Sequence, residues 1–233
     1  MMWTSNILSR VFWLRVTGAA DGAEEGEPAN YGTGFTIGLD GFSCLVTAKH
    51  LFEDIGTVQE VAWLYPGGWR SNDVNSFEYA LHRSEDVAVV VSGADIVRKY
   101  LGAFNIDDKR FYDGGGFSLG QEVGFCGFPY TRHAPISVDM SKIGIPEDRL
   151  VPFVRQGIIS AVEPIVVDAV ASKGFSRGPV VVYDNKLNGP KVIGVVSGYD
   201  NIVTAPDKAP FTFCANIGHA VELIEALTRR IGG

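Results

Sequence analysis

The sequence predicts an all-β protein, a sandwich or a barrel, on three observations. Short runs of β-branched and aromatic residues recur along the whole chain. Gly, Pro, Asp and Asn punctuate them, and before the C-terminus there is no alternation of strands with helices. With 233 residues, 46% of them hydrophobic, the chain can bury a sizeable core as one compact unit or as two subdomains sharing an interface.

In the first half the runs fall at 11–16, 34–39, 43–47, 61–65 and 86–91. The acidic, Gly/Pro-rich stretch 21–30 reads as an exposed loop, and Tyr65-Pro66-Gly67-Gly68-Trp69 as a turn. The second half repeats the style at 122–126, 157–162, 179–183, 191–196 and 211–215. Between the halves, the polar stretch 105–116 ends in three glycines and is the expected crossing, giving one domain, 1–233, built from β units at 1–110 and 117–233. At the C-terminus Ile217, Val221, Ile224, Leu227 and Ile231 recur at helical spacing. Asn216 stands as N-cap, Arg229 and Arg230 come late and Gly232 follows, so a helix is expected over 217–231, its apolar stripe packed on the second β unit.

Twenty basic against 27 acidic residues leave a formal charge of −7 with no concentrated basic stretch, so a nucleic-acid partner is not expected. No apolar run approaches the roughly 20 residues needed to span a bilayer. Arg10 and Arg15 interrupt the apolar N-terminus, which therefore lacks the pattern of a secretory signal. Cys44, Cys126 and Cys214 are odd in number, widely spaced and outside any metal-ligand pattern, so free thiols and a cytoplasmic location are expected. His82 and His133 have no adjacent metal-ligand partners and read as ordinary polar residues, and neither a metal nor another cofactor is expected. Trp63, Trp69 and Phe125 read as core or loop-covering residues.

Three segments carry chemistry. Val46-Thr47-Ala48-Lys49-His50 is a β run ending in a histidine, whose alternative reading is an ordinary core residue. In Glu85-Asp86-Val87-Ala88-Val89-Val90-Val91 an acid opens a continuous apolar strand; where the strand enters a core, Asp86 needs a partner such as an imidazole N–H. Gly174-Phe175-Ser176-Arg177-Gly178-Pro179 is a glycine-dense turn before a β run, able to turn successive N–H groups toward one point, or simply a tight turn. Hydrolysis by serine requires these parts: a nucleophile, an imidazole that takes its proton, a carboxylate that orients the imidazole, and N–H donors for the oxyanion.

Taken together, these segments resemble the trypsin-like serine peptidase family in a minimal, disulfide-free form similar to bacterial HtrA-type peptidases. Thr47-Ala48-Lys49-His50 matches the family's T-A-x-H, residues 86–90 match its acid-led strand, and residues 174–181 match its G-x-S-G-G-P segment. Softer matches are residues 120–129, 156–160 and 194–198. The resemblance covers about 32–231 and implies two six-stranded antiparallel β-barrels with a C-terminal helix. It further implies a protein or peptide substrate, with His50 as general base and then acid, Asp86 orienting it, Ser176 as nucleophile, and the N–H groups of Gly174 and Ser176 as the oxyanion hole. By the same analogy the substrate pocket has Val170 at its base and Ser197, Gly198 and Tyr199 along its walls, favouring small or apolar side chains on the substrate.

Arg177 departs from the pattern, standing where the family has glycine. Phe175 replaces an acid that pairs with a new N-terminus in digestive relatives, so activation by that route is not expected. Two rival readings stay open at this level. Gly174-x-Ser176-x-Gly178 also fits the nucleophile elbow of an α/β-hydrolase, with Asp200 or Asp207 and His219 as partners. Arg177 also suits an inactive trypsin-like module that holds an extended peptide.

Overall fold

The computed structural model describes residues 5–19, 29–39, 42–65, 68–73, 77–92, 103–106, 116–129, 150–172, 174–184, 189–199 and 211–231. After a short helix α1 (Ser5–Leu8), the first half forms β1 (Val11–Ala19), β2 (Ala29–Leu39), β3 (Phe42–Thr47), β4 (Thr57–Tyr65), β5 (Gly68–Asp73), β6 (Phe77–Leu81), β7 (Ala88–Ser92) and β8 (Phe104–Asn105). The second half forms β9 (Glu122–Gly127), β10 (Phe153–Val162), β11 (Ile165–Asp168), β12 (Pro179–Asp184), β13 (Gly189–Tyr199) and β14 (Phe211–Asn216), followed by α2 (Gly218–Ile231). Most of the expected loop at 21–30 and of the crossing at 105–116, together with Pro66, Gly67, His133, Asp200, Asp207 and Gly232, lie outside the described residues.

Strands β9 to β14 close a barrel in the order β10-β11-β14-β13-β12-β9, antiparallel throughout. The first half is a curled eight-stranded sheet in the order β5-β4-β1-β2-β3-β7-β6, with β8 parallel to β2. Among the described residues this first sheet is a half-barrel whose end strands β5 and β6 do not pair with each other. β4 and β5 pair antiparallel with Tyr65 opposite Gly68, so β5 begins inside the stretch read as a turn.

The period-2 alternation of the strands sorts their side chains into separate cores. In β7, Ala88 and Val90 fill the first sheet's interior with Leu14, Leu45, Leu51 and Trp63, while Val89 and Val91 face the layer between the halves and α2. In β12, Val180 and Val182 point into the barrel with Phe125 and Ile193, while Val181 joins that intermediate layer. A strand buried on both faces reads as an unbroken apolar run, which is the pattern of residues 87–91 and 180–182. Ile217, Val221, Ile224 and Leu227 are all buried, as the helical spacing requires. Instead of lying on the second unit, this stripe covers β6 and β7 of the first sheet and touches the barrel through β14. The Asn216 side chain caps the helix by accepting the Gly218 N–H at 2.7 Å. Among the described residues no helix is long and apolar enough to cross a membrane.

Candidate active site

His50 is carried by a 3-10 turn, Lys49–Phe52, that continues β3. Leu51 and Phe52 anchor the turn by burial, and the Asn30 side chain ties it to β2 by donating to the carbonyls of Leu51 (3.1 Å) and Glu53 (2.9 Å). Asp86 closes the tight loop 82–87, in which His82 N–H donates to Val87 O and Val87 N–H to Glu85 O, each at 2.9 Å. Both Asp86 oxygens meet His50: Oδ1 accepts its backbone N–H at 3.0 Å and Oδ2 lies 2.6 Å from its Nδ1. The second contact fixes the imidazole plane and, with the carboxylate ionised, places the Nδ1 proton toward Asp86, freeing Nε2 as acceptor. Burial on its own would raise the Asp86 pKa. The His50 hydrogen bonds and the Arg177 charge outweigh it and hold the carboxyl below its ordinary value.

Ser176 lies in the turn between β11 and β12, whose shape the main chain fixes. Phe175 N–H bonds Ser172 O, Gly178 N–H bonds Phe175 O, Arg177 N–H bonds Val196 O at 2.7 Å and Val196 N–H bonds Gly178 O. Phe175 points into the barrel core, 1% exposed, its ring edge-to-face with Phe125 at 5.5 Å. Burial of that ring, worth about 1.5–3 kcal/mol, seats the turn on the barrel. Gly174 has φ +101°, and a Cβ there would collide with Phe128 O and come within 2.6 Å of Pro129 Cα, so only glycine fits. Among the described residues, neither the Gly174 nor the Ser176 N–H donates to a backbone carbonyl. No hydrogen bond joins Ser176 Oγ to His50, although the turn and the His50–Asp86 pair are close enough for the Arg177 charge to act on Asp86.

Two contacts lock this turn against β2 across the boundary between the halves. The Thr33 hydroxyl donates to Gly174 O at 2.8 Å and accepts the Phe128 N–H at 3.0 Å, while Thr33 O accepts the Thr47 hydroxyl at 2.8 Å. Arg177 adopts φ +83°, and its guanidinium reaches across to donate to Tyr31 O at 2.6 Å. Burial lowers the Arg177 pKa to about 10 against the opposing pull of Asp86. The side chain lies over Gly32, where any Cβ would strike its Cδ and Nη1. Thr33 and Asn30 were not singled out by motif. The sequence signal was Gly32-Thr33-Gly34, glycines inside a strand, which mark close approach of other backbone or side chains.

Of the four residues expected to form the substrate pocket, Val170 follows β11 and Ser197, Gly198 and Tyr199 lie on β13. Val170 is 51% exposed and the Ser197 hydroxyl donates to Phe213 O at 3.1 Å. The Tyr199 side chain is outside the described residues. A cavity of about 510 Å³ lies elsewhere, between the loop bearing Asp86, the β10–β11 hairpin and the start of α2. All three cysteines are free and buried, and burial pushes the Cys44 thiol up to about 12 and the Cys126 and Cys214 thiols up as well, so they are core residues with little thiolate character.

The crystal structure of a thermostable serine protease from an extremophilic microorganism superposes with a TM-score of 0.62, covering 96% of this chain and 99% of that one at 12% identity. The fold is the trypsin-like double barrel. Neither a protein-family model nor a curated protein matches the sequence. The trypsin-like topology also removes the α/β-hydrolase reading: a nucleophile elbow must lead into a helix, whereas the Ser176 turn leads into strand β12.

Proposed function

We propose that the chain is a serine endopeptidase in which His50, Asp86 and Ser176 act as a catalytic triad on a protein or peptide substrate. The observation that carries this reading is the double contact of Asp86 with His50. It holds the imidazole in the tautomer that leaves Nε2 able to accept a proton, next to a turn whose serine follows a glycine of positive φ. In this scheme His50 Nε2 takes the Ser176 hydroxyl proton as Oγ attacks the substrate carbonyl carbon. The N–H groups of Gly174 and Ser176 receive the developing oxyanion, and His50 then hands the proton to the leaving amine. A second His50 step activates water to hydrolyse the acyl-enzyme. The absent Ser176–His50 hydrogen bond accords with this scheme, because such bonds are often long in the free enzyme and tighten around substrate.

A second reading is favoured by Arg177, which fills the position after the serine and bridges to the other half of the molecule: a catalytically silent module of the same fold that binds extended peptides. Labelling with a fluorophosphonate separates the two. An active peptidase is labelled and cleaves peptides, and Ser176→Ala loses both while folding normally. A wild-type chain that is neither labelled nor cleaves peptides, but gains both on Arg177→Gly, supports the silent module. Labelling that survives Ser176→Ala refutes Ser176 as nucleophile.

A further inference from the structure

We infer that His82, His219 and Glu222 form a binding site for a divalent transition-metal ion, with zinc the ion their donor set suits best. His219 and Glu222 are three residues apart on α2 and therefore share a face, while His82 enters from the end of β6, on which α2 packs. The two imidazoles have ring centroids 4.6 Å apart, and His82 Nε2 lies 3.6 Å from Glu222 Oε2. One ligand atom from each of the three residues lies within 4.8 Å of the others. Ligand atoms around a tetrahedral zinc sit about 3.3 Å apart, so the site must contract by about 1.5 Å at most. Glu222 is 69% exposed and free to turn inward.

A second observation points to a ligand. His219 Nδ1 is shut off from solvent and has no hydrogen-bond partner among the described residues, the kind of buried polar atom that an ion or ordered water satisfies. The lining of the 510 Å³ cavity includes His219 and Glu222 together with Glu85 and Glu163. Its three carboxylates draw cations, and its volume accommodates the water that completes a three-ligand zinc site. Two imidazoles and one carboxylate favour zinc and its first-row neighbours over calcium or magnesium, which prefer oxygen ligands alone.

In the metal-free protein, His82 Nδ1 accepts the Glu85 N–H at 3.0 Å, so the neutral ring carries its proton on Nε2, toward Glu222. An ion bound at Nε2 takes that proton's place; the proton passes through solvent to Nδ1, and the Glu85 N–H gives up its acceptor. Net charge rises by that of the ion and no proton is released. His82 thus switches tautomer on loading.

The test is calorimetric titration of the chelator-stripped full chain with zinc chloride, with folding checked by circular dichroism. One saturable site per chain is expected. Glu222→Gln, an exposed change, weakens it by more than the roughly 10–100-fold that loss of an outer-shell partner costs. His82→Ala with His219→Ala abolishes it, and His50→Ala leaves it intact. Cobalt(II) then gives the visible absorption of a tetrahedral N/O site, and nitrogen NMR shows the His82 proton moved to Nδ1. Absence of saturable binding, binding undiminished in the Glu222 or double-histidine variants, or binding lost only with His50→Ala overturns the proposal.

Discussion

Asp86 commits both of its carboxylate oxygens to one residue, His50, through the backbone N–H on Oδ1 and the ring Nδ1 on Oδ2. Asp86→Asn can keep the first contact, but its amide NH2 cannot accept from Nδ1–H, so the imidazole is driven to the wrong tautomer. In the Ser-His-Asp template, from a protease of this same fold, that change costs about 10⁴-fold in kcat, and a comparable loss is expected for cleavage of a peptide substrate here. Unfolding should register the same pair. The unfolded carboxyl titrates near 3.9 and the folded one lower, so its contribution is fully present above the unfolded pKa and is lost as pH falls through the folded pKa. Urea denaturation at stepped pH should show the wild-type advantage over Asp86→Asn shrinking on acidification below about pH 4. An advantage that is constant with pH would count against the carboxylate's role in holding the turn.

Thr33 is a polar link between the halves, giving a hydrogen bond to Gly174 O and taking one from Phe128 N–H. Thr33→Val keeps the side-chain volume and removes both. The buried Phe128 N–H loses its partner, which costs about 1–3 kcal/mol. The Gly174 peptide loses its tether. Stability by urea melts should fall by that amount, and kcat should fall more than KM rises if the tether orients the oxyanion donor. Thr33→Ser, which preserves the hydroxyl, should recover most of both. Full activity in Thr33→Val would show that the main-chain bonds of the turn suffice.

These contacts mark where legibility in the sequence ended. The strands that are buried on both faces, β7 and β12, stood out as unbroken apolar runs, and the stripe of α2 was plain from its spacing. Strands β5 and β6 were not: they lie at the two ends of the sheet, β5 carries the polar run 70–73, and in β6 only Phe77 is buried while Glu78 and Tyr79 are exposed, so neither shows an apolar run. His50 and Asp86 were legible because each closes or opens a strand with a residue the core does not call for. Thr33, Asn30 and the His82–His219 pair were not, since their partners are brought in by topology from distant parts of the chain. The helix was misplaced for a similar reason: its stripe says that it is covered, not by what.

Gly32 and Arg177 touch so closely that a methyl group on Gly32 would need the guanidinium to leave its bond with Tyr31 O. Gly32→Ala should therefore destabilise by about 1–3 kcal/mol, the usual cost of overpacking. In an Arg177→Gly background the same change should cost much less. A double-mutant cycle read by chemical denaturation should return a coupling of about 0.5–3 kcal/mol, and a cycle closing at zero would mean that the arginine does not occupy the space above Gly32.

Arg177 combines two opposed contributions, and a pair of substitutions separates them. Its side chain gains the Tyr31 contact, while its backbone sits at φ +83°, a region that disfavours any residue with a Cβ by about 1–2 kcal/mol. Arg177→Gly and Arg177→Ala lose the same guanidinium contacts, but only glycine relieves the backbone. The glycine variant should therefore be the more stable of the two by about 1–2 kcal/mol. Catalysis should follow the side chain instead: both variants remove the cation that spans from the serine turn to β2, so both should alter turnover in the same direction, with glycine the larger effect because its turn is unstrained. If turnover changes in the glycine variant alone, backbone strain rather than the bridging side chain is what sets the activity of the Ser176 turn.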